Sequence, residues 1–126
     1  MNLLLDTHIL LWWLSDQSLL SSKIRKLISD ADNMVFISAA SIWEISIKKA
    51  SGKLITPNDL ENALMESDFQ ELPIHHSHAN LAGKLPQHHT DPFDRMLIAQ
   101  AEIEKLTLIS HDRHFKQYAI KHFISA

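Results

Sequence analysis

The 126-residue chain has no cysteine and only two glycines, Gly52 and Gly83. The first absence excludes disulfides, thiolate nucleophiles, iron–sulfur clusters and cysteine–zinc sites together, and it fits a reducing cytosol. The second excludes a phosphate-cradling loop and a dinucleotide-binding turn, both of which need several glycines close together. The strained serine elbow of α/β-hydrolases, Gly-x-Ser-x-Gly, is missing as well. Long apolar runs are also lacking: the stretches 3–5 and 9–14 are split by Asp6 and His8, far short of the roughly 20 residues of a bilayer span. The start carries no basic region and Asp6 interrupts its apolar stretch, so no secretory signal is expected. Nor is there a basic excess, since 12 Lys and Arg stand against 15 Asp and Glu, a formal charge of −3. A nucleic-acid partner would have to be held by local patches or through metal ions.

What is present is an ordinary globular mixture, 45% hydrophobic and 21% charged, in a length that suits one domain, 1–126, and leaves no room for a second core. Asn2-Leu3-Leu4-Leu5 is apolar after its first residue and ends at Asp6, the pattern of a strand buried on both faces of a parallel sheet. Residues 34–37 repeat it. Helical spacing follows at 9–14 and 21–31. Ser38 offers an N-cap for a helix to Ala50, stopped by Gly52 with Lys48 and Lys49 in its last turn. Thr56-Pro57-Asn58-Asp59 reads as another helix start with Pro at its first position. Residues 70–74 read as a strand that Pro73 confines to an edge, and 78–85 as a short helix. Asp91-Pro92-Phe93-Asp94 opens an apolar helix to about Lys105. A strand at 106–110, a last helix at 112–118 and an edge strand at 123–124 complete the chain. Strands alternating with helices predict an α/β three-layer sandwich, with a central, mainly parallel sheet of four to five short strands flanked by helices.

Open parallel sheets bind ligands beyond the carboxyl ends of their strands, where strand order reverses. Four acids fall at or near that edge. Asp6 follows the first strand, Asp112 lies two residues past Ser110, Glu44 borders the apolar face of the third helix, and Asp94 sits in a first helical turn. Carboxylates about 4 Å apart repel by roughly 4 kcal/mol per pair at an effective dielectric near 20, so such a group needs protonation or a cation. Oxygen ligands without cysteine suit Mg²⁺ or Mn²⁺ better than zinc, and a hydrated ion of that kind is built for phosphodiester cleavage. Each acid also has a plainer reading. Asp91 is read as an N-cap ahead of Pro92, Asp94 can favour the helix dipole, Glu44 can pair with Lys48 one turn on, and Asp112 can cap the last helix. Only Asp6, an acid ending an apolar strand, lacks a propensity reason.

Leu5-Asp6-Thr7-His8 followed by Leu11-Trp12-Trp13 resembles the opening of PIN-domain proteins of the VapC-like toxin type. Ser41-Ile42-Trp43-Glu44-Ile45 resembles their second acidic motif, and His89-Thr90-Asp91-Pro92-Phe93-Asp94-Arg95-Met96-Leu97-Ile98-Ala99-Gln100-Ala101 their third. Leu108-Ile109-Ser110-His111-Asp112 is similar to the fourth, so the likeness runs in order along the whole chain. It implies a PIN-like fold and a metal-dependent endoribonuclease, commonly the toxin of a toxin–antitoxin pair, with RNA as substrate, a small antitoxin as partner and a homodimeric state. Carried over by position, Asp6, Glu44, Asp94 and Asp112 are the acidic quartet, Asp6 and Asp94 being the usual ligands of Mg²⁺ or Mn²⁺. Glu44 and Asp112 complete the pocket as ligands or as partners of water on the metal. The resemblance further implies that Thr7 and Ser110 steady these carboxylates by hydroxyl hydrogen bonds, and it leaves Asp91 a cap with a supporting role.

Other features are less specific. Lys48 can grip an RNA phosphate near Glu44 or serve as a cation at a helix C-terminus. Arg95 can contact a phosphate or make a structural ion pair. His75-His76-x-His78, His88-His89 and His111-x-x-His114 lack the rigid spacing of a zinc site and read as surface residues. Trp12 and Trp13 point about 100° apart on a helix, so one is expected at a partner surface or on the rim of the core. The competing function is a non-catalytic or signalling α/β domain of the receiver type with a Mg-binding acidic pocket. Against it, Asp6 is followed by Thr7 and His8, Ser38 ends the second strand, and no Lys follows Ser110.

Overall fold

Leu3, Leu4 and Leu5 in strand β1 (Asn2–Leu5) are completely buried. Leu3 and Leu5 enter a core on one face of the sheet and Leu4 a second core on the other, which is why no polar residue alternates with them. In the computed structural model the described residues are 1–56, 59–88, 90–118, 120 and 122–126. Among them the sheet has five strands, all parallel, in the order β3 (Gln70–Leu72), β2 (Met34–Ser38), β1, β4 (Thr107–Ser110) and β5 (Phe123–Ser125). In register, Leu3 stands opposite Val35 on one side and Thr107 on the other.

The helices are α1 (Thr7–Ser15), α2 (Ser22–Ser29), α3 (Ala39–Ala50), α4 (Leu60–Glu66), α5 (His76–Lys84) and α6 (Pro92–Glu104). Ile9, Leu10, Ile24, Ile28 and Ile45 fill the first core; Leu97, Ile98, Ala101, Phe115 and Tyr118 fill the second. None of the described helices is long and apolar enough to cross a membrane. β3 stops at Leu72, before Pro73, and occupies a sheet edge as the missing proline N–H requires. Of the predicted start of α4, Pro57 and Asn58 lie outside the described residues, as does His89 of the third motif. The helix expected at 112–118 is a 3₁₀ segment, Arg113–Gln117, closed by an i→i−3 bond from Tyr118 N–H to Phe115 C=O.

Chain order runs outward from β1 through β2 to β3, then resumes on the other side of β1 with β4 and β5. The reversal therefore lies between β1 and β4, and the crevice beyond their carboxyl ends is where Asp6 and Asp112 emerge. This order differs from the 2-1-3-4-5 of flavodoxin-like sheets, on which a receiver-type site would be built. A buried polar latch fixes α6 against the same edge. Ser38 caps α3 by accepting from Ala40 N–H at 3.0 Å, and its hydroxyl donates to Gln100 Oε1 at 2.6 Å. Gln100 in turn donates to the carbonyl of Pro73 at 3.2 Å.

Candidate active site

Asp6 ends β1 in an extended conformation and N-caps α1, with Oδ1 accepting from Thr7 N–H at 2.6 Å. This cap is the propensity reason for an acid at that position, and it starts the helix two residues earlier than the apolar spacing suggests. Its other oxygen, Oδ2, accepts from the Ser110 hydroxyl at 2.6 Å. Ser110 Oγ also accepts from Asp112 N–H at 3.0 Å, so one buried hydroxyl ties the end of β1 to the loop after β4. Asp112 caps the 3₁₀ segment by accepting from His114 N–H at 2.9 Å, with His114 Nδ1 a further 2.8 Å contact.

Glu44 lies in the second turn of α3, buried, with Oε1 accepting from the Thr7 hydroxyl at 2.7 Å and Oε2 from the Lys48 ammonium at 2.6 Å. Ser41, one turn earlier and fully buried, has its hydroxyl 3.1 Å from that of Thr7. Ser41 was missing from the sequence-predicted set, although its i,i+3 spacing from Glu44 places both on one helical face. Asp94 occupies the first turn of α6 and is only 8% exposed. Asp91 is the N-cap of α6, accepting from Phe93 N–H at 2.9 Å and Asp94 N–H at 3.2 Å.

The electrostatics show which of these acids share one space. The Asp94 carboxyl is pushed up to about 8, first by burial and then by the negative charges of Asp6, Asp91, Glu44 and Asp112. Asp6 is also raised, chiefly by burial and further by Glu44, against the lowering effect of its hydrogen bonds from Ser110 and Thr7 and of nearby His8. Lys48 is held above the usual lysine range by its hydrogen bond to Glu44 and by the charges of Glu44, Asp91 and Asp94. Three helix starts (α1, α6 and the 3₁₀ segment) and α3 thus bring an excess of negative charge to one crevice. Among the described residues no three His, Asp or Glu side chains are gathered tightly enough to hold a metal ion by themselves. The donors at the crevice are carboxylate oxygens and the chain has no cysteine, so the donor set fits a hydrated hard cation such as Mg²⁺.

One expectation needs correction, and two basic residues take the plainer of the readings open to them. Arg95 takes a structural role. Its buried guanidinium donates to the carbonyls of Ala82, Leu85 and Pro86, each at 2.9 Å, with the Tyr118 hydroxyl 3.4 Å away. The carbonyls ending α5 have no intrahelical partners, and a cation satisfies them there. Lys48 pairs with Glu44, as the plainer reading of that helical spacing has it. His78 is fully buried rather than at the surface, because α6 covers it: its Nδ1 accepts from His75 N–H at 3.0 Å and Nε2 faces Glu104 Oε1 at 3.2 Å. Trp12 and Trp13 both pack partly against the first core, and Trp12 meets His111 edge-on at 5.4 Å.

A family model, the PIN domain, matches residues 3–121. Solved structures of similar fold include VapBC2 from Rickettsia felis bound to a DNA fragment from its promoter, with a TM-score of 0.73, 16% identity, and 99% of this chain and 98% of that chain covered. DNA-bound VapBC from Salmonella typhimurium gives 0.74, 16%, 99% and 98%. A toxin–antitoxin complex from Klebsiella pneumoniae gives 0.68, 21%, 98% and 96%. No curated protein matches the chain significantly.

Proposed function

The chain belongs to the PIN-domain family, and from that premise we propose that it is a divalent-metal-dependent endoribonuclease, the toxin of a toxin–antitoxin pair. The observation that carries this reading is the gathering of Asp6, Glu44, Asp91, Asp94 and Asp112 at the crevice between β1 and β4, where burial and the other charges raise the Asp94 carboxyl to about 8. Like charges are concentrated there at a cost that a cation would relieve. Mg²⁺ is the favoured ion, with Mn²⁺ an effective substitute. Asp6 and Asp94 are its holders in this scheme, and Glu44 and Asp112 complete the pocket. When bound, the ion supplies positive charge that lets Asp94 ionise near neutral pH, activates a water and stabilises the leaving oxygen.

The chain's own groups do the positioning. Ser110 and Thr7 N–H fix the Asp6 carboxylate, Thr7 Oγ1 fixes Glu44, and Asp91 fixes the first turn of α6 that carries Asp94. Locked rotamers of this kind keep the oxygens oriented toward a phosphodiester and spare reorganisation during reaction. Residues 1–126 act as one PIN-like domain, homodimeric and cytoplasmic, silenced by a small antitoxin; the toxin–antitoxin complexes of similar fold support that partner.

Purified wild-type protein, Asp6→Asn and Asp94→Asn are incubated with single-stranded RNA in Mg²⁺, Mn²⁺ or EDTA. Cleavage is expected for the wild type with metal only, with each variant at least 100-fold slower. Equal cleavage by all three proteins, or cleavage that persists in EDTA, overturns the assignment.

A further inference from the structure

We propose that Lys48 is a resident cation of the acidic crevice, standing where a second metal ion would sit and limiting the site to one divalent ion per chain. The inference rests on the metal-dependent reading above and adds the number of ions to it. Glu44 is 5% exposed and both its oxygens are engaged, Oε1 by the Thr7 hydroxyl at 2.7 Å and Oε2 by the Lys48 ammonium at 2.6 Å. Residues 44 and 48 stand one turn apart on α3, so helix geometry alone brings them together. An i,i+4 pair on a solvated face would end there. This ammonium also lies in the field of Asp91 and Asp94 at the start of α6, so its charge serves the cluster and not Glu44 alone.

The two sides of the crevice are therefore unlike. Asp6 takes its hydrogen bonds from the neutral Ser110 hydroxyl and Thr7 N–H, which leaves its charge for a metal ion shared with Asp94. Glu44 already has a full positive charge on it. A second divalent ion at Glu44 would have to displace the ammonium or sit a few ångströms from it, and repulsion at that range weakens its binding by at least about tenfold. The Lys48 side chain is 41% exposed, so its charge can be removed without opening a cavity, and Lys48→Met keeps the aliphatic stem.

The test counts ions. EDTA-treated wild type, Lys48→Met, Lys48→Gln and Lys48→Arg are titrated with Mn²⁺ by calorimetry, with free Mn²⁺ counted by electron paramagnetic resonance. Melting in EDTA first verifies that each is folded, and Lys48→Gln replaces Lys48→Met if the latter is not. Wild type and Lys48→Arg are expected to take one Mn²⁺ per chain. The neutral variants are expected to take a second, and Glu44→Gln in the Lys48→Met background is expected to lose it. Neutral variants that titrate like the wild type, or a wild type that takes two ions, overturn the inference and leave the nuclease reading intact. A wild type that takes up no Mn²⁺ overturns both.

Discussion

Asp94 makes the metal-free protein sensitive to pH in a direction opposite to ordinary acid denaturation. Its carboxyl stands at about 8 in the folded chain against 3.8 in the open chain, so between those values the folded state holds a proton that the unfolded state has released. Stability contributed by the protonated form is complete below pH 3.8 and declines as pH rises through about 8. The full displacement corresponds to about 6 kcal/mol, and the part lying above pH 5.5 to about 3 kcal/mol. In a chain of this size 3 kcal/mol lowers the melting temperature by on the order of 10 °C.

The assay is a set of calorimetric melts in EDTA from pH 5.5 to 8.5 on wild type and Asp94→Asn, with the amide variant cancelling the contributions of the histidines. Wild type should lose about 3 kcal/mol relative to the variant across this range, leaving Asp94→Asn the more stable protein at pH 8.5. Mn²⁺ should then reverse the ranking, adding about 4.1 kcal/mol to the wild type at a thousandfold excess over its dissociation constant. Parallel pH curves for the two proteins in EDTA would refute the account, because they would mean that neither burial nor the other carboxylates raise Asp94 in the folded chain.

Two further substitutions separate positioning from packing. Ser110→Ala removes the donor to Asp6 Oδ2 and the acceptor for Asp112 N–H; it should cost about 1–3 kcal/mol in urea unfolding at pH 7, a cost that shrinks as Asp6 protonates at lower pH, whereas an unchanged midpoint would refute the role. Arg95→Met leaves the carbonyls of Ala82, Leu85 and Pro86 without their guanidinium donor and should destabilise by at least about 3 kcal/mol; unchanged stability with only a raised KM for RNA would show that Arg95 grips substrate after all.

Much of the site was legible because its parts lie at element ends, where local chemistry is explicit. Asp6 follows a strand whose apolar run allows no surface face, Ser38 and Asp91 carry the side chains that cap helices, and Pro73 marks a strand that must end a sheet. Glu44 and Ser41 share a face by helix spacing alone. His78 was expected at the surface, and Arg95 was left between two roles, for a common reason. Each is polar and near a helix start, where exposure is the ordinary expectation. What buried them was a distant partner: the end of α5 for Arg95, and Glu104, 26 residues onward, for His78.

By itself the chain determined periodicity, caps and breaks, because these depend on neighbours within a turn or two. Which carboxylates meet depends on strand order. With β1 between β2 and β4, Thr7 reaches Glu44 across 37 residues and Ser110 reaches Asp6 across 104. Contacts over such separations arise only when the whole sheet has assembled, so only the tertiary structure decided that these acids share one crevice.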